Sequence, residues 1–237
     1  MNTSKLLLAA LFASVFIFGT ARAQSDATTT PPNGATSATA PLAPEAKDAE
    51  AWVLGRSYFQ VDGTLEKFKT SSQTATGASP GLALNLPLGD YFDYGLGYAY
   101  EHAANKSFKL NDNTLETGFT LYDKMSGFAP FVTADVGYAW DRSSNTSTPN
   151  PFDHALYDVA AGVEVPVSQS TSLRAWVDHD SSFRAPHQND WSYNLGANAW
   201  INHALGTFIG AGWKSGYLGS HSSVAYTAGF RISLDSE

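Results

Sequence analysis

Asp178-His179-Asp180 places two carboxylates and an imidazole on three consecutive residues. Such groups can draw a proton from water, or hold a divalent metal when neighbours complete the ligand set. His102, His154, His187 and His221 add four more imidazoles, and with His179 they fall toward one rim of the elements described below. Their spacing matches no metal-binding pattern, so neither a metal nor any other cofactor is expected. A second set of ionisable residues recurs inside alternating stretches: Arg56, Asp93, Glu101, Glu116, Asp135, Asp158, Glu164, Arg174, Asp178, Lys214 and Arg231. On one enclosed face, their acidic excess makes a cation-preferring path. The alternative is a polar core in which Arg56, Arg174 and Arg231 bridge carboxylates. No Ser-His-Asp arrangement, phosphate loop or lipase-type serine motif accompanies them, so no enzymatic activity is expected.

What positions these residues is a two-residue period. Leu82, Leu84, Leu86 and Leu88 interleave with Ala83, Asn85 and Pro87. Phe92, Tyr94, Leu96, Tyr98 and Tyr100 interleave with Asp93, Gly95, Gly97, Ala99 and Glu101. Side chains on a strand point alternately to opposite faces, so this period means strands. It predicts strands near 51–63, 80–88, 91–102, 113–123, 128–141, 155–167, 172–180, 190–201, 206–216 and 222–234. The fold class that follows is all-β: a closed antiparallel transmembrane up-and-down barrel of ten strands, with eight or twelve as alternatives. The same period puts Asp178 and Asp180 on one face and His179 on the other, which separates the members of a catalytic pair.

Alternation does not say which face is wet. Three features point to an apolar exterior. The polar face is small, with Gly95, Gly97, Gly137, Gly162, Gly196, Gly210, Gly212 and Gly229 on it, where a water-facing sheet favours long charged side chains. Aromatics on the apolar face collect toward the rims: Tyr98, Tyr100, Tyr138, Trp140 and Trp191 at one, Tyr91, Phe92 and Phe128 at the other. That is the placement of an interfacial girdle. Each strand is long enough to cross a bilayer at a tilt. Turns after strands two, four, six and eight read as tight, and the connections after one, three, five and seven as longer and polar.

The chain ends and the composition agree with export. Lys5, the apolar run Leu6 to Phe18 and Ala21-Arg22-Ala23 read as a signal peptide over 1–23, cut after Ala23. Residues 24–50 are rich in Ala, Thr, Ser and Pro and read as a disordered periplasmic tether, followed by the barrel domain at 51–237. There is no cysteine, which excludes disulfides and thiolate metal sites. The formal charge of −8 argues against nucleic acid as a partner. Charged residues make up 15%, below the quarter or so usual for a soluble domain.

At its C-terminal end the chain resembles the small bacterial outer-membrane β-barrel family, porin-like or OmpA-type. Thr227, Gly229, Ile232 and Leu234 match that family's C-terminal assembly motif, although the chain continues through Asp235-Ser236-Glu237 rather than ending on an aromatic. The resemblance spans roughly 51–234. It implies residence in the outer membrane, with outer-membrane lipid and the barrel-assembly machinery as partners. Asp178-His179-Asp180 also resembles the Asp/His site of the omptin proteases, which are ten-stranded barrels. Three functional readings follow: a non-enzymatic structural barrel or narrow cation-preferring pore; a surface recognition or adhesion barrel acting through its loops; and, least favoured, an omptin-like membrane protease. The oligomeric state is not legible.

Overall fold

The computed structural model describes residues 51–70, 74–104, 109–141, 153–183, 189–216 and 221–235. The signal peptide and tether expected over 1–50 lie outside the described residues. Ten strands make up the fold: β1 (Tyr58–Thr70), β2 (Thr74–Pro87), β3 (Phe92–Ala104), β4 (Lys109–Tyr122), β5 (Ala129–Asp141), β6 (His154–Pro166), β7 (Thr171–Ser182), β8 (Asn189–Trp200), β9 (Leu205–Gly216) and β10 (His221–Ser233). Each pairs antiparallel with its neighbours in sequence, and β1 pairs with β10 from Tyr58↔Ser233 to Thr70↔His221, which closes the cylinder. Closure leaves no sheet edge, the condition for a strand to lie in hydrocarbon without orphaned backbone groups.

The strands form here because β-branched, aromatic and leucine side chains alternate with small or polar ones. The faces sort as the period predicts. Val61, Leu82, Phe92, Leu96, Leu115, Phe119, Val136, Leu173, Leu195 and Phe230 stand exposed on the outside, with Leu195 at 66%. Asp93, Glu164 and Arg231 are buried on the inside. An apolar exterior around a charged interior inverts the arrangement of a water-soluble barrel and is that of a transmembrane one.

Three sequence expectations require correction. The first strand does not run over 51–63: β1 begins at Tyr58, and Ala51–Ser57 precedes it without joining a ladder. Val53 is 1% exposed inside the barrel. Neither it nor Leu54 lies in a strand. Second, β1 and β2 reach much further than expected, to Thr70 and from Thr74. Their upper parts carry Lys67, Lys69, Thr74 and Thr76 outward, and this polar outer face hides the strand signal. Third, the contrast between tight and long connections is largely lost, since residues 71–73, 105–108 and 217–220 suffice at the rim expected to carry long loops. Only the connection at 142–153 stands out in length. We call the rim where the chain enters β1 and leaves β10 the proximal end, and the opposite rim the distal end.

Candidate functional site: a lumen with two different ends

At the proximal end, Ala51–Ser57 runs across the barrel mouth. Gly55 turns it at a φ of +75°, which glycine adopts without strain, and a methyl group there would lie 2.7 Å from the Tyr122 hydroxyl. Two buried carboxylates from different walls hold the segment. Glu164 on β6, fully buried, accepts the Val53 N–H at 2.8 Å and the Leu54 N–H at 3.2 Å, together with the Ser172 hydroxyl at 2.6 Å. Asp93 on β3 accepts the Gly55 N–H at 2.9 Å and the Asn85 amide at 3.1 Å. That same Asn85 amide donates to the Arg56 carbonyl at 2.8 Å. These contacts satisfy backbone donors that would otherwise be buried without partners.

Apolar side chains pack against the segment. Leu54 packs with Tyr122, Ala129 and Phe131, flanked by Trp52 and Trp176. Val53 packs with Tyr58 and Trp200. The arginines expected to bridge carboxylates make close contacts with aromatic rings. Arg231 donates to Gln60 at 2.9 Å and Asn198 at 2.6 Å, with its guanidinium 4.2 Å from the Phe208 ring centre. Arg174 lies 4.4 Å over Phe131, and Arg56, which precedes β1 rather than lining it, lies 4.4 Å over Trp200. A guanidinium is weakly hydrated and stacks on aromatic faces, so it tolerates this crowded place better than an ammonium would. Asn198 donates to Ser172 at 3.3 Å, which links Arg231 through Asn198 and Ser172 to Glu164.

The lumen toward the distal end is built from carboxylates. The register sets Asp135 opposite Asp158, Asp158 opposite Asp180, and Asp180 opposite Asp190, a half-ring across β5, β6, β7 and β8. Glu116 and Asp178 face the same space from β4 and β7. Like charges directly across a ladder destabilise a sheet, so this arrangement is not one that stability alone would select. Lys214 on β9 is the cation seen against it, 2.5 Å from Asp180 and 3.7 Å from Asp190. Asp178 accepts from the Ser192 hydroxyl and from Asn194 at 2.9 Å. Carboxylate oxygens of Asp158, Asp178 and Asp180 lie within 4.8 Å of one another. Lys214 already supplies positive charge beside them, and among the described residues no histidine joins the group. Glu101 sits further up β3, near Gly77 and Phe68.

His179 faces outward, its ring stacked on Trp191 with centroids 4.6 Å apart. It therefore lies on the opposite side of the barrel wall from the Asp178 and Asp180 side chains. His102 also turns outward, against Asn111 at 2.8 Å, and His187 lies outside the described residues. On the outer face, the Tyr98 and Tyr100 hydroxyls donate to Asn113 and Asn111 at 2.8 and 3.0 Å. Tyr138 meets Trp140 edge-on, while Tyr91, Phe92 and Phe128 stand exposed at the proximal rim. Tyr98 falls nearer mid-strand than rim. In the C-terminal motif, Thr227 and Gly229 face in while Ile232 and Leu234 face out; Thr227 meets Thr64 at 2.8 Å, and a side chain at Gly229 would strike the Val61 carbonyl.

The sequence places Asp180 on the same face as Asp178 but does not show that it joins a ring, leaves Asp190 unnoticed, and assigns no role to Asn85, Ser172 and Asn198. The half-ring needs strand register, which composition does not reveal. The proximal segment left one signal: Trp52-Val53-Leu54 is a run of three apolar residues, which an alternating strand cannot place on one face.

Fold and lumen together define the class: a ten-strand transmembrane barrel with one packed end. No family model and no curated protein matches the chain. Solved structures similar to it are bacterial outer-membrane barrels. They include Neisserial surface protein A at 13% identity, with 75% of this chain and 97% of that one covered and a TM-score of 0.45. The translocator domain of autotransporter NalP from Neisseria meningitidis gives 9%, 75%, 88% and 0.49. Ail, the attachment invasion locus protein of Yersinia pestis, gives 7%, 76%, 99% and 0.40. Likeness this distant assigns no role, and the functional reading rests on this chain's own residues.

Proposed function

We propose that this is an integral protein of the bacterial outer membrane, exported through its leader and inserted by the barrel-assembly machinery, which acts without catalysis as a structural barrel closed at its proximal end. The observation that carries this reading is the apolar outer band around a charged interior, an arrangement suited to lipid rather than water outside. The packing of Trp52, Val53 and Leu54 across the proximal mouth favours a closed barrel over an open one. Membrane fractionation with a heat-modifiability gel tests the reading. The expected result is recovery in the outer-membrane fraction and a mobility shift on boiling. Monodisperse protein in detergent-free buffer contradicts it.

A second reading, a narrow cation-preferring pore, is favoured by the half-ring Asp135, Asp158, Asp180 and Asp190, since rings of carboxylates select cations. Adhesion through loops has less to draw on, because a single connection, 142–153, stands out in length. For an omptin-like protease, the opposite faces taken by Asp178 and His179 are unfavourable.

A further inference from the structure

The proximal closure is built differently from the wall around it. The wall is held by backbone ladders between neighbouring strands, and the ladders of β1 with β2 and with β10 both start at Tyr58. Residues 51–56 contribute no rung. They are held by side-chain acceptors and donors reaching in from β2, β3 and β6, namely Asn85, Asp93 and Glu164. Ser57 anchors the near side, where its carbonyl accepts the Leu234 N–H at 2.9 Å, and Gly55 supplies a flexible point two residues before it. Withdrawing the segment therefore leaves the cylinder closed and its ladders whole.

The lining behind the segment differs in character from the lining around it. Around the segment it is aromatic and close-packed: a side chain at Gly162, near the proximal end, would strike the Ala175 carbonyl, Trp176 and Phe131. Beyond lies the acidic half-ring, an arrangement of facing carboxylates that costs stability and attracts cations. A packed plug over a polar, acid-lined interior is the construction of a closed channel.

We propose that residues 51–57 are a releasable plug, latched by Glu164 and Asp93, whose withdrawal opens the lumen to small cations. This rests on the reading as a membrane barrel and on the acidic lumen within it. The test is planar-bilayer recording in potassium chloride, with a salt gradient to read selectivity. It compares the full mature chain with one in which Ala51–Arg56 is replaced by glycine and serine, and with a Glu164→Gln, Asp93→Asn variant. Each protein is first checked for a heat-modifiable band. The expected result is a nearly silent full chain and frequent, cation-selective steps from the plug-replaced protein. The latch variant, which removes the charge from both acceptors but keeps a neutral one at each, should open at least about tenfold more often than the full chain, the factor carried by a single charge-assisted hydrogen bond.

Folded variants that insert and stay silent overturn the plug. Failure of both variants to fold also overturns it, since the segment is then part of the barrel core rather than a removable piece. Anion-selective or unselective steps overturn the cation assignment. Failure of the full chain to enter lipid counts instead against the membrane reading, which the heat-modifiability gel distinguishes beforehand.

Discussion

The two ends of the lumen solve the problem of enclosed charge in opposite ways. At the proximal end, Glu164 and Asp93 are buried, and what answers them is chiefly backbone N–H from a crossing segment, with Ser172 and Asn85 beside it. Nearby, Arg231 and Arg174 stack on rings. Toward the distal end, four aspartates face one another across β5 to β8, and Lys214 stands against two of them. The first region is packed, and its charged groups are held by fixed hydrogen bonds and ring contacts. The second leaves charges facing a shared space, where water and counter-ions can complete the solvation. Fixed partners close a barrel; a shared acidic space suits the passage or holding of cations.

Substitutions at equivalent chemistry should therefore behave unequally. The largest effect is expected for Glu164→Leu, which leaves the Val53 and Leu54 N–H groups and the Ser172 hydroxyl without their acceptor. Each buried orphan costs about 1–3 kcal/mol. Urea unfolding of the micelle-refolded barrel should show a marked drop in midpoint. Asp178→Leu removes an acceptor from Ser192 and Asn194 in the wetter region and should cost about 1 kcal/mol. Equal losses at the two sites would erase the distinction between the ends.

Next in size is a pair of glycines. Gly162→Val forces a side chain into Trp176, Phe131 and the Ala175 carbonyl, and overpacking of this kind costs about 1–3 kcal/mol. Gly97→Ser enters open space and should leave the midpoint within about 0.5 kcal/mol of the parent, as substitutions away from packed features do. Thermal unfolding of both variants in the same micelles checks the contrast.

The outward face gives a smaller effect that is independent of the lumen. Trp191→Ala removes the stack on His179 and should cost about 1 kcal/mol, measured by the same urea titration. Smallest in stability is Lys214→Gln. Its side chain is 36% exposed, and ion pairs at such exposure contribute about 0–1 kcal/mol. Its signature is instead selectivity: in the plug-replaced barrel, loss of this cation should raise the preference for potassium over chloride in reversal-potential measurements. An unchanged reversal potential would detach the acidic half-ring from any conduction.

Much of the wall was legible because its signal is local. A residue's outward or inward direction depends only on its parity within a strand, so Leu82, Leu96, Val136 and Tyr226 declare their face from neighbours one residue away. Legibility failed where the exterior stops being apolar, as at Lys67, Lys69, Thr74 and Thr76. There β1 and β2 extend past the oily band and no longer alternate in hydropathy. It failed again where partners are distant in sequence. Val53 and Glu164 are separated by 111 positions, and nothing near either residue announces the other. The half-ring was half visible: Asp135, Asp158 and Asp178 were read as lumen residues by parity. Asp180 shares that parity, but its place opposite Asp158 and Asp190 needed the register.

The central claim concerns orientation, and the six tryptophans report on it directly. Trp140, Trp191 and Trp213 stand exposed on the outer face, while Trp52, Trp176 and Trp200 belong to the packed proximal interior. Single-tryptophan variants reconstituted into vesicles carrying lipids brominated on the acyl chains would separate the two sets by fluorescence quenching. Strong quenching of residues 140, 191 and 213 with little change at 52, 176 and 200 is the predicted result. Quenching of the second set, with the first left bright, would mean that the side chains described as lining the lumen face the lipid instead.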